Sequence, residues 1–210
     1  MKTVSIIPVK SFSKAKSRLT LSTEKTEDIC KLMLTEVLET ISNSKNIDAT
    51  IIVSHDQLVF DIGKKFSAIE VFDELESGVN NAITLADHYI SDSDFDASVI
   101  FPQDIPFFNN LDLSNLFSFH RNNNSIIIVP SRHFNGTNSL IRTTSTSMPT
   151  RYDEGTYKSH VEQARSRNID FSLVLIRRLM LDIDTRDDIA FAMKYNEKPT
   201  LCKKILDLLD

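Results

Sequence analysis

Short apolar runs rich in β-branched residues recur along the chain at Thr3 to Val9, Ala49 to Ser54, Ile69 to Phe72, Ala97 to Phe101 and Ser125 to Val129. Each has the length of a strand buried on both faces. The stretches between them carry a different period. Ile29, Leu32, Met33, Val37, Leu38 and Ile41 recur every three or four residues, as do Val79, Ile83, Ala86 and Ile90. Strands alternating with helices predict a single-domain α/β fold over residues 1–210, with a mostly parallel central sheet flanked by helices. In such sheets ligands bind beyond the carboxyl ends of the strands, so the residues that follow each apolar run come first in a search for function.

Three of those junctions carry chemistry. The first strand runs into Lys10, Lys14, Lys16 and Arg18, four cations within nine residues. The fourth is followed by Pro102-Gln103-Asp104-Ile105-Pro106, a carboxylate between two prolines, and the fifth by the donor-rich segment Pro130 to Ser139. Asn122 to Asn124 reads as a polar turn and Thr143 to Thr150 as a flexible surface segment.

Composition narrows the chemistry. The chain has only four glycines, Gly63, Gly78, Gly136 and Gly155. Neither a dinucleotide fingerprint nor a Walker-type phosphate loop can be written with them. A bound phosphate therefore has to be held by side-chain cations, metal ions, helix ends or isolated amides. Gly78, Gly136 and Gly155 fall in candidate ligand segments, which leaves Gly63 for an ordinary loop. Lys plus Arg number 24 against 29 Asp plus Glu, a net charge of −5. That balance argues against a broad nucleic-acid face. No apolar run approaches a membrane span, and Met1-Lys2-Thr3 leads directly into a strand-like segment, so a cytoplasmic, soluble protein with no membrane partner is expected. Cys30 and Cys202 lie in helical patterns without metal spacing and read as ordinary thiols. His55, His88 and His120 show no ligand spacing either.

Each candidate has a structural and a functional reading. The lysines are solvated surface charge, or Lys10 and Arg18 flank a turn that holds a triphosphate. Asp104 caps a turn, or its carboxylate is aimed into a site by Pro102 and Pro106. Leu181-Asp182-Ile183-Asp184-Thr185-Arg186 closes an apolar stretch and opens a helix near Arg186, with Thr185 or Asp184 as its cap. Carboxylates on separate strand ends suit Mg²⁺, which takes one or two of them and fills its shell with water and phosphate oxygens. Ser77 caps a helix whose first turn holds Asn80, or Gly78 admits a flat base and Asn80 offers it a donor and an acceptor. Gly155-Thr156 opens a helix suited to an anion, with His160 one turn on and on the same side. His160 is then either structural or part of that site.

Five segments in order resemble one family, the 2-phospho-L-lactate guanylyltransferases of deazaflavin coenzyme F-420 biosynthesis, whose bacterial relatives use phosphoenolpyruvate. They are Ile7-Pro8-Val9-Lys10 with Ala15-Lys16-Ser17-Arg18-Leu19, then Gly78-Val79-Asn80-Asn81-Ala82-Ile83 and Asp104-Ile105-Pro106, and finally Gly136-Thr137-Asn138-Ser139-Leu140 and Asp182-Ile183-Asp184-Thr185. The resemblance implies a Rossmann-like nucleotidyltransferase fold of the glycosyltransferase-A type, Mg²⁺, GTP, a phosphorylated three-carbon acid and a homodimer. It gives Lys10, Lys16 and Arg18 the triphosphate, Gly78 and Asn80 the guanosine, and Asp104 and Asp184 the metal. Lys16, Arg18 and Asp104 become the catalytic set. Thr137, Asn138, Thr156 and His160 become the acceptor site, within an acceptor-side subregion at residues 131–182.

The chain departs from the family pattern at three places. Asp153 replaces a usual glycine, Thr156 a usual serine, and Glu36 a helical aspartate. Thr156 keeps the hydroxyl, whereas Asp153 would repel an anionic acceptor unless it faces away or binds a second metal. Two other functions fit the same residues: a nucleotidyltransferase that charges a sugar phosphate or molybdopterin, and an inactive GTP-binding regulatory module. The missing glycine-rich opening loop counts against the first, and the intact Lys16, Asp104 and Asp184 against the second.

Overall fold

Strand β1 (Thr3–Pro8) is buried at every position and sits at the centre of the sheet. A computed structural model describes residues 1–143, 148–152 and 156–209, the side chains of Ser17 and Thr156 excepted. Around β1 the chain adds α1 (Thr23–Ser42), β2 (Ala49–Ser54), α2 (Gln57–Lys64), β3 (Ile69–Phe72), α3 (Val79–Ile90), β4 (Ala97–Ile100), α4 (Asn110–Phe117) and β5 (Ser125–Pro130). It continues with β6 (Thr137–Thr143), α5 (Thr156–Ser166), β7 (Asp170–Leu173), α6 (Arg186–Tyr195) and α7 (Pro199–Leu209). The strands form one seven-stranded sheet in the order β3-β2-β1-β4-β6-β5-β7. Pairing is parallel from β3 through β4 and between β5 and β7, while β6 runs antiparallel to both neighbours.

Alternation along the strands divides the core in two. Ile7, Ile52, Val99, Ile127 and Ile141 face a cluster built with α1, α2, α4, α6 and α7. Val4, Ile6, Ile51, Val53, Ile100 and Leu140 face the other side, with Ala82, Ile83 and Ala86 of α3 and Ala164 of α5. Burying each of these isoleucine, valine and leucine side chains contributes about 1.5–3 kcal/mol. Both sheet faces are therefore covered, and the strand ends are left as the open surface.

The five predicted strands are present within one residue of their expected ends. The helical period over 29–41 lies in α1, where Leu32 alone of the six is only half-buried. Three expectations change. Segment 137–143 is a fully buried strand and not part of a loop, and Asp170–Leu173 adds a seventh strand at the sheet edge. Gly63 has no loop role: it lies in α2, and a Cβ there would stand 2.5 Å from Ile52 Cδ1. The glycine lets α2 pack closely on β2. Of the surface segment read at Thr143 to Thr150, residues 144–147 lie outside the described residues, while Thr143 and Met148 are buried.

Glu36 has a local structural role. Its buried carboxylate accepts from Lys198 Nζ at 2.9 Å and Lys204 Nζ at 2.7 Å, tying α1 to α7. Those contacts hold the Glu36 carboxyl below its ordinary range although burial alone would raise it. Cys30 and Cys202 are buried free thiols, and burial pushes Cys30 up to about 11, which keeps it a neutral thiol.

Candidate functional site

The open strand ends form a cavity of about 640 Å³. It is lined by Lys10, Lys14, Lys16 and Arg18 after β1, by Val79 at the start of α3, and by Gln103 and Asp104 after β4. Ser131, Thr137, Asn138, Tyr152, Asp182 and Asp184 close the other side.

Lys16 is the centre of this arrangement. Its side chain is 8% exposed, and its ammonium donates to both Asp104 and Asp184. Burial alone would lower its pKa. The charges and hydrogen bonds of the two carboxylates more than offset that and hold the group protonated, well above an ordinary lysine. Lys16 adopts φ 55°, a left-handed conformation that costs a side-chain-bearing residue on the order of 1 kcal/mol or more and is concentrated at functional sites. Asp104 is fixed through its own backbone, whose carbonyl accepts from Ile183 N–H at 2.9 Å, so the two acidic segments are tied together. Arg18 lies at the rim, 77% exposed and 3.7 Å from Asp184, too loosely paired to be tied up there. Lys10 is exposed at the cavity wall.

Asp184 is placed by the start of α6. Thr185 is the N-cap, and its side chain and that of Asp188 form a capping box. Asp182 is a third carboxylate of the cavity, beyond the two expected from the sequence. Buried Asn138 donates from Nδ2 to Asp182 Oδ1 at 3.2 Å and to Leu179 O at 3.2 Å. Burial first, and the charge of Asp104 next, hold the Asp182 carboxyl above its usual range. Spacing could have indicated it: Leu181-Asp182-Ile183-Asp184 alternates buried apolar with half-buried acidic positions, which puts both aspartates on one side of the chain.

His160 is fully buried, and its ring is engaged by protein. Nε2 accepts from Arg151 N–H at 3.0 Å, which leaves the proton of the neutral ring on Nδ1, 3.1 Å from Thr137 Oγ1. It therefore orients Thr137, which lines the cavity, and anchors the segment at Arg151. Thr156 and Asp153 cannot be placed, since the Thr156 side chain and residues 153–155 lie outside the described residues.

On the opposite wall α3 begins with Gly78, not Ser77, as N-cap, at φ 117° and with no side-chain cap. A Cβ at Gly78 would meet nothing within 4 Å, so its backbone faces open space. Asn80 Oδ1 accepts from Tyr152 N–H at 2.9 Å, which links this turn to the segment that His160 anchors. Glu76 was not singled out from sequence, yet its carboxylate holds Ser11 and Lys14 of the basic loop.

Asp104 and Asp184 converge on one cation, the Lys16 ammonium, so they stand close enough together to share a divalent ion. Among the described residues no group of three or more His, Cys, Asp or Glu side chains is arranged to hold a metal. Two carboxylates with water and phosphate oxygens are the donor set that Mg²⁺ accepts, so these residues fit that ion. Among the described residues no helix is long and apolar enough to cross a membrane.

The family of CofC-like guanylyl transferases matches residues 3–204. The 2-phospho-L-lactate guanylyltransferase of Methanothermobacter thermautotrophicus is 31% identical over 94% of this chain and 86% of its own length. The phosphoenolpyruvate guanylyltransferase of Conexibacter woesei is 26% identical over 90% of this chain and 86% of its own. Among solved structures, a putative nucleotide-diphospho-sugar transferase from Desulfovibrio desulfuricans superposes with a TM-score of 0.76 at 15% identity, covering 99% of this chain and 97% of that one. A 4-diphosphocytidyl-2C-methyl-D-erythritol synthase from Anaerococcus prevotii gives 0.67 at 14%, over 94% of this chain and 96% of the other. These structures share the nucleotidyltransferase fold, and with a family match across nearly its whole length the chain belongs to the CofC-like guanylyl transferases.

Proposed function

We propose that the cavity transfers GMP from GTP to a phosphorylated three-carbon acid, 2-phospho-L-lactate or phosphoenolpyruvate, and releases pyrophosphate. The observation that carries this reading is the convergence of Lys16, Asp104 and Asp184 where the loops after β1, β4 and the last acidic segment meet. Lys10, Lys16 and Arg18 would hold the triphosphate, and Gly78 and Asn80 the guanosine. Asp104 and Asp184 would hold Mg²⁺, which supplies charge neutralisation at the reacting phosphates when bound. Thr137, Asn138 and the segment of Thr156, within the acceptor side at residues 131–182, would seat the acid, with His160 acting through Thr137.

The acceptor phosphate is already anionic, so no general base is required. One of its oxygens bonds to the α-phosphorus of GTP while the bond from that phosphorus to the α,β-bridging oxygen breaks, and the electron pair leaves with pyrophosphate. The side chains contribute alignment and positive charge. Pyrophosphate release with GTP, Mg²⁺ and each of phospholactate, phosphoenolpyruvate and phosphoglycerate tests the reading, and release with none of them would sink it. The same reading makes the protein a cytoplasmic homodimer, which light scattering on the purified protein and fractionation of the native cells would check.

A further inference from the structure

We infer that Glu76 is a positioning residue that clamps the basic loop after β1 against the turn at the start of α3, and so sets the affinity for GTP without touching the nucleotide. This rests on the nucleotide placement proposed above. In the sheet, β2 lies between β1 and β3, so the loops after β1 and β3 are separated by two strand spacings, roughly 10 Å. Glu76 bridges that gap. One carboxylate oxygen accepts from Ser11 N–H at 2.8 Å and from the Ser11 hydroxyl, and the other accepts from the Lys14 ammonium.

The residue is held for this task. Its side chain is 10% exposed, whereas that of Lys14 is 61% exposed. Glu76 adopts φ 43°, strained for a residue with a side chain. The strain is maintained by buried Asp73, whose Oδ1 accepts from Glu76 N–H at 3.1 Å and from Asn81 Nδ2 at 3.3 Å. Asp73 N–H in turn donates to Ser54 O at 2.8 Å, at the end of β2. A second tie follows the same route, from Phe12 N–H to Asp56 Oδ2 at 3.1 Å. The basic loop is therefore hung from the ends of β2 and β3, and Glu76 supplies the contact nearest to Lys14 and Lys16.

Two effects of removing the Glu76 charge oppose each other. A freed Lys14 would attract a triphosphate, but its ammonium is mostly in water and that attraction is screened. Weakening the tie loosens the triphosphate loop relative to the guanosine turn, and ordering them again on binding costs affinity. The second effect is the larger, because a charge-assisted contact to a largely buried carboxylate is lost.

Titration of a fluorescent GTP analogue in Mg²⁺ buffer tests this directly and does not depend on which acid is the acceptor. Glu76→Gln should weaken binding on the order of tenfold, one charge-assisted hydrogen bond's worth. In turnover it should raise the KM for GTP by a similar factor while kcat changes little. In a Lys14→Ala background, where the amide oxygen introduced by Glu76→Gln can still accept from Ser11, the same change should cost no more than about twofold. Unchanged or tighter binding by folded Glu76→Gln would overturn the inference, and so would an equal loss in both backgrounds. Should Glu76→Gln fail to fold, Glu76→Asp carries the same test, since the shorter side chain keeps the charge but cannot span Ser11 and Lys14. Wild-type protein that binds no GTP analogue would overturn the proposed function along with the inference, whereas binding that is indifferent to Glu76 overturns the inference alone.

Discussion

Arg132, just beyond β5, donates from Nη2 to Asp188 Oδ1 at 2.6 Å, joining the far half of the sheet to the turn that carries Asp184. The other Asp188 oxygen accepts from Thr185 N–H at 2.8 Å and Asp184 N–H at 3.2 Å. Arg132 also lies over the Phe191 ring at 4.2 Å. The Asp184 backbone is thus held by a carboxylate that is itself held by Arg132. Arg132→Ala would leave a 9% exposed carboxylate short of its cation. The expected cost is about 2–3 kcal/mol, or roughly 4–10 °C in thermal midpoint, with slower turnover as Asp184 loosens. A midpoint and a rate both equal to wild type would remove this clamp.

Asp104→Asn and Asp184→Asn should each lower pyrophosphate release by at least about 100-fold while the protein stays folded, because Lys16 keeps one carboxylate partner in either variant. Lys16→Ala has a different signature. It leaves Asp104, Asp182 and Asp184 facing one cavity without the buried ammonium, so both the thermal midpoint and GTP use should fall. Near-normal rates in the asparagine variants would remove those residues as metal ligands, and an unchanged nucleotide dependence in Lys16→Ala would remove the lysine from the triphosphate site.

How far the sequence reveals this site depends on how each residue is buried. Parallel strands covered on both faces are continuous apolar runs, so the ends of β1 and β4, and with them Lys16 and Asp104, stand out directly. The strand β6 is equally buried but reads Thr-Asn-Ser-Leu-Ile-Arg-Thr, and the side chains of Thr137, Asn138, Arg142 and Thr143 find their partners on other elements. Arg142 is paired with Asp87 of α3 at 2.6 Å, and Asn138 with Asp182. No local pattern shows such pairings. The short edge strand β7 is half-exposed and lacks a run at all. The roles of Gly63 and Glu76 do not show in the sequence for a related reason: one is fixed by the approach of Ile52 and the other by Ser11 and Lys14, contacts made with other elements.

His160 separates a supporting role from a binding one. Both ring nitrogens face protein, at Arg151 N and Thr137 Oγ1. His160→Ala would open a cavity and leave a backbone N–H and a hydroxyl without these partners, costing about 2–4 kcal/mol and roughly 5–10 °C in midpoint. The KM for the acid should rise with it, because Thr137 loses its orientation. Thr137→Ala tests the same wall from the cavity side and should raise the acid KM with a smaller loss of stability. A His160→Ala protein with a wild-type midpoint would show that the ring is not a structural tie.

The pH dependence of stability gives an independent view of Glu76. Burial alone would raise its carboxyl, but the hydrogen bonds from Lys14 and Ser11 outweigh burial and bring it from 4.5 down to about 2. A carboxyl depressed in the folded state stabilises fully above its unfolded pKa, and that stabilisation is lost as the pH falls through the folded value. Wild type should therefore exceed Glu76→Gln in thermal midpoint by a constant margin near neutrality, and the margin should narrow once the pH drops below 4.5. Melting both proteins from about pH 7 to about pH 3 measures it. A margin that stays constant through the acid range would mean that Glu76 is not bound more tightly as a carboxylate in the folded protein than in the unfolded chain, and the Ser11 and Lys14 contacts would then be too weak to act as a clamp.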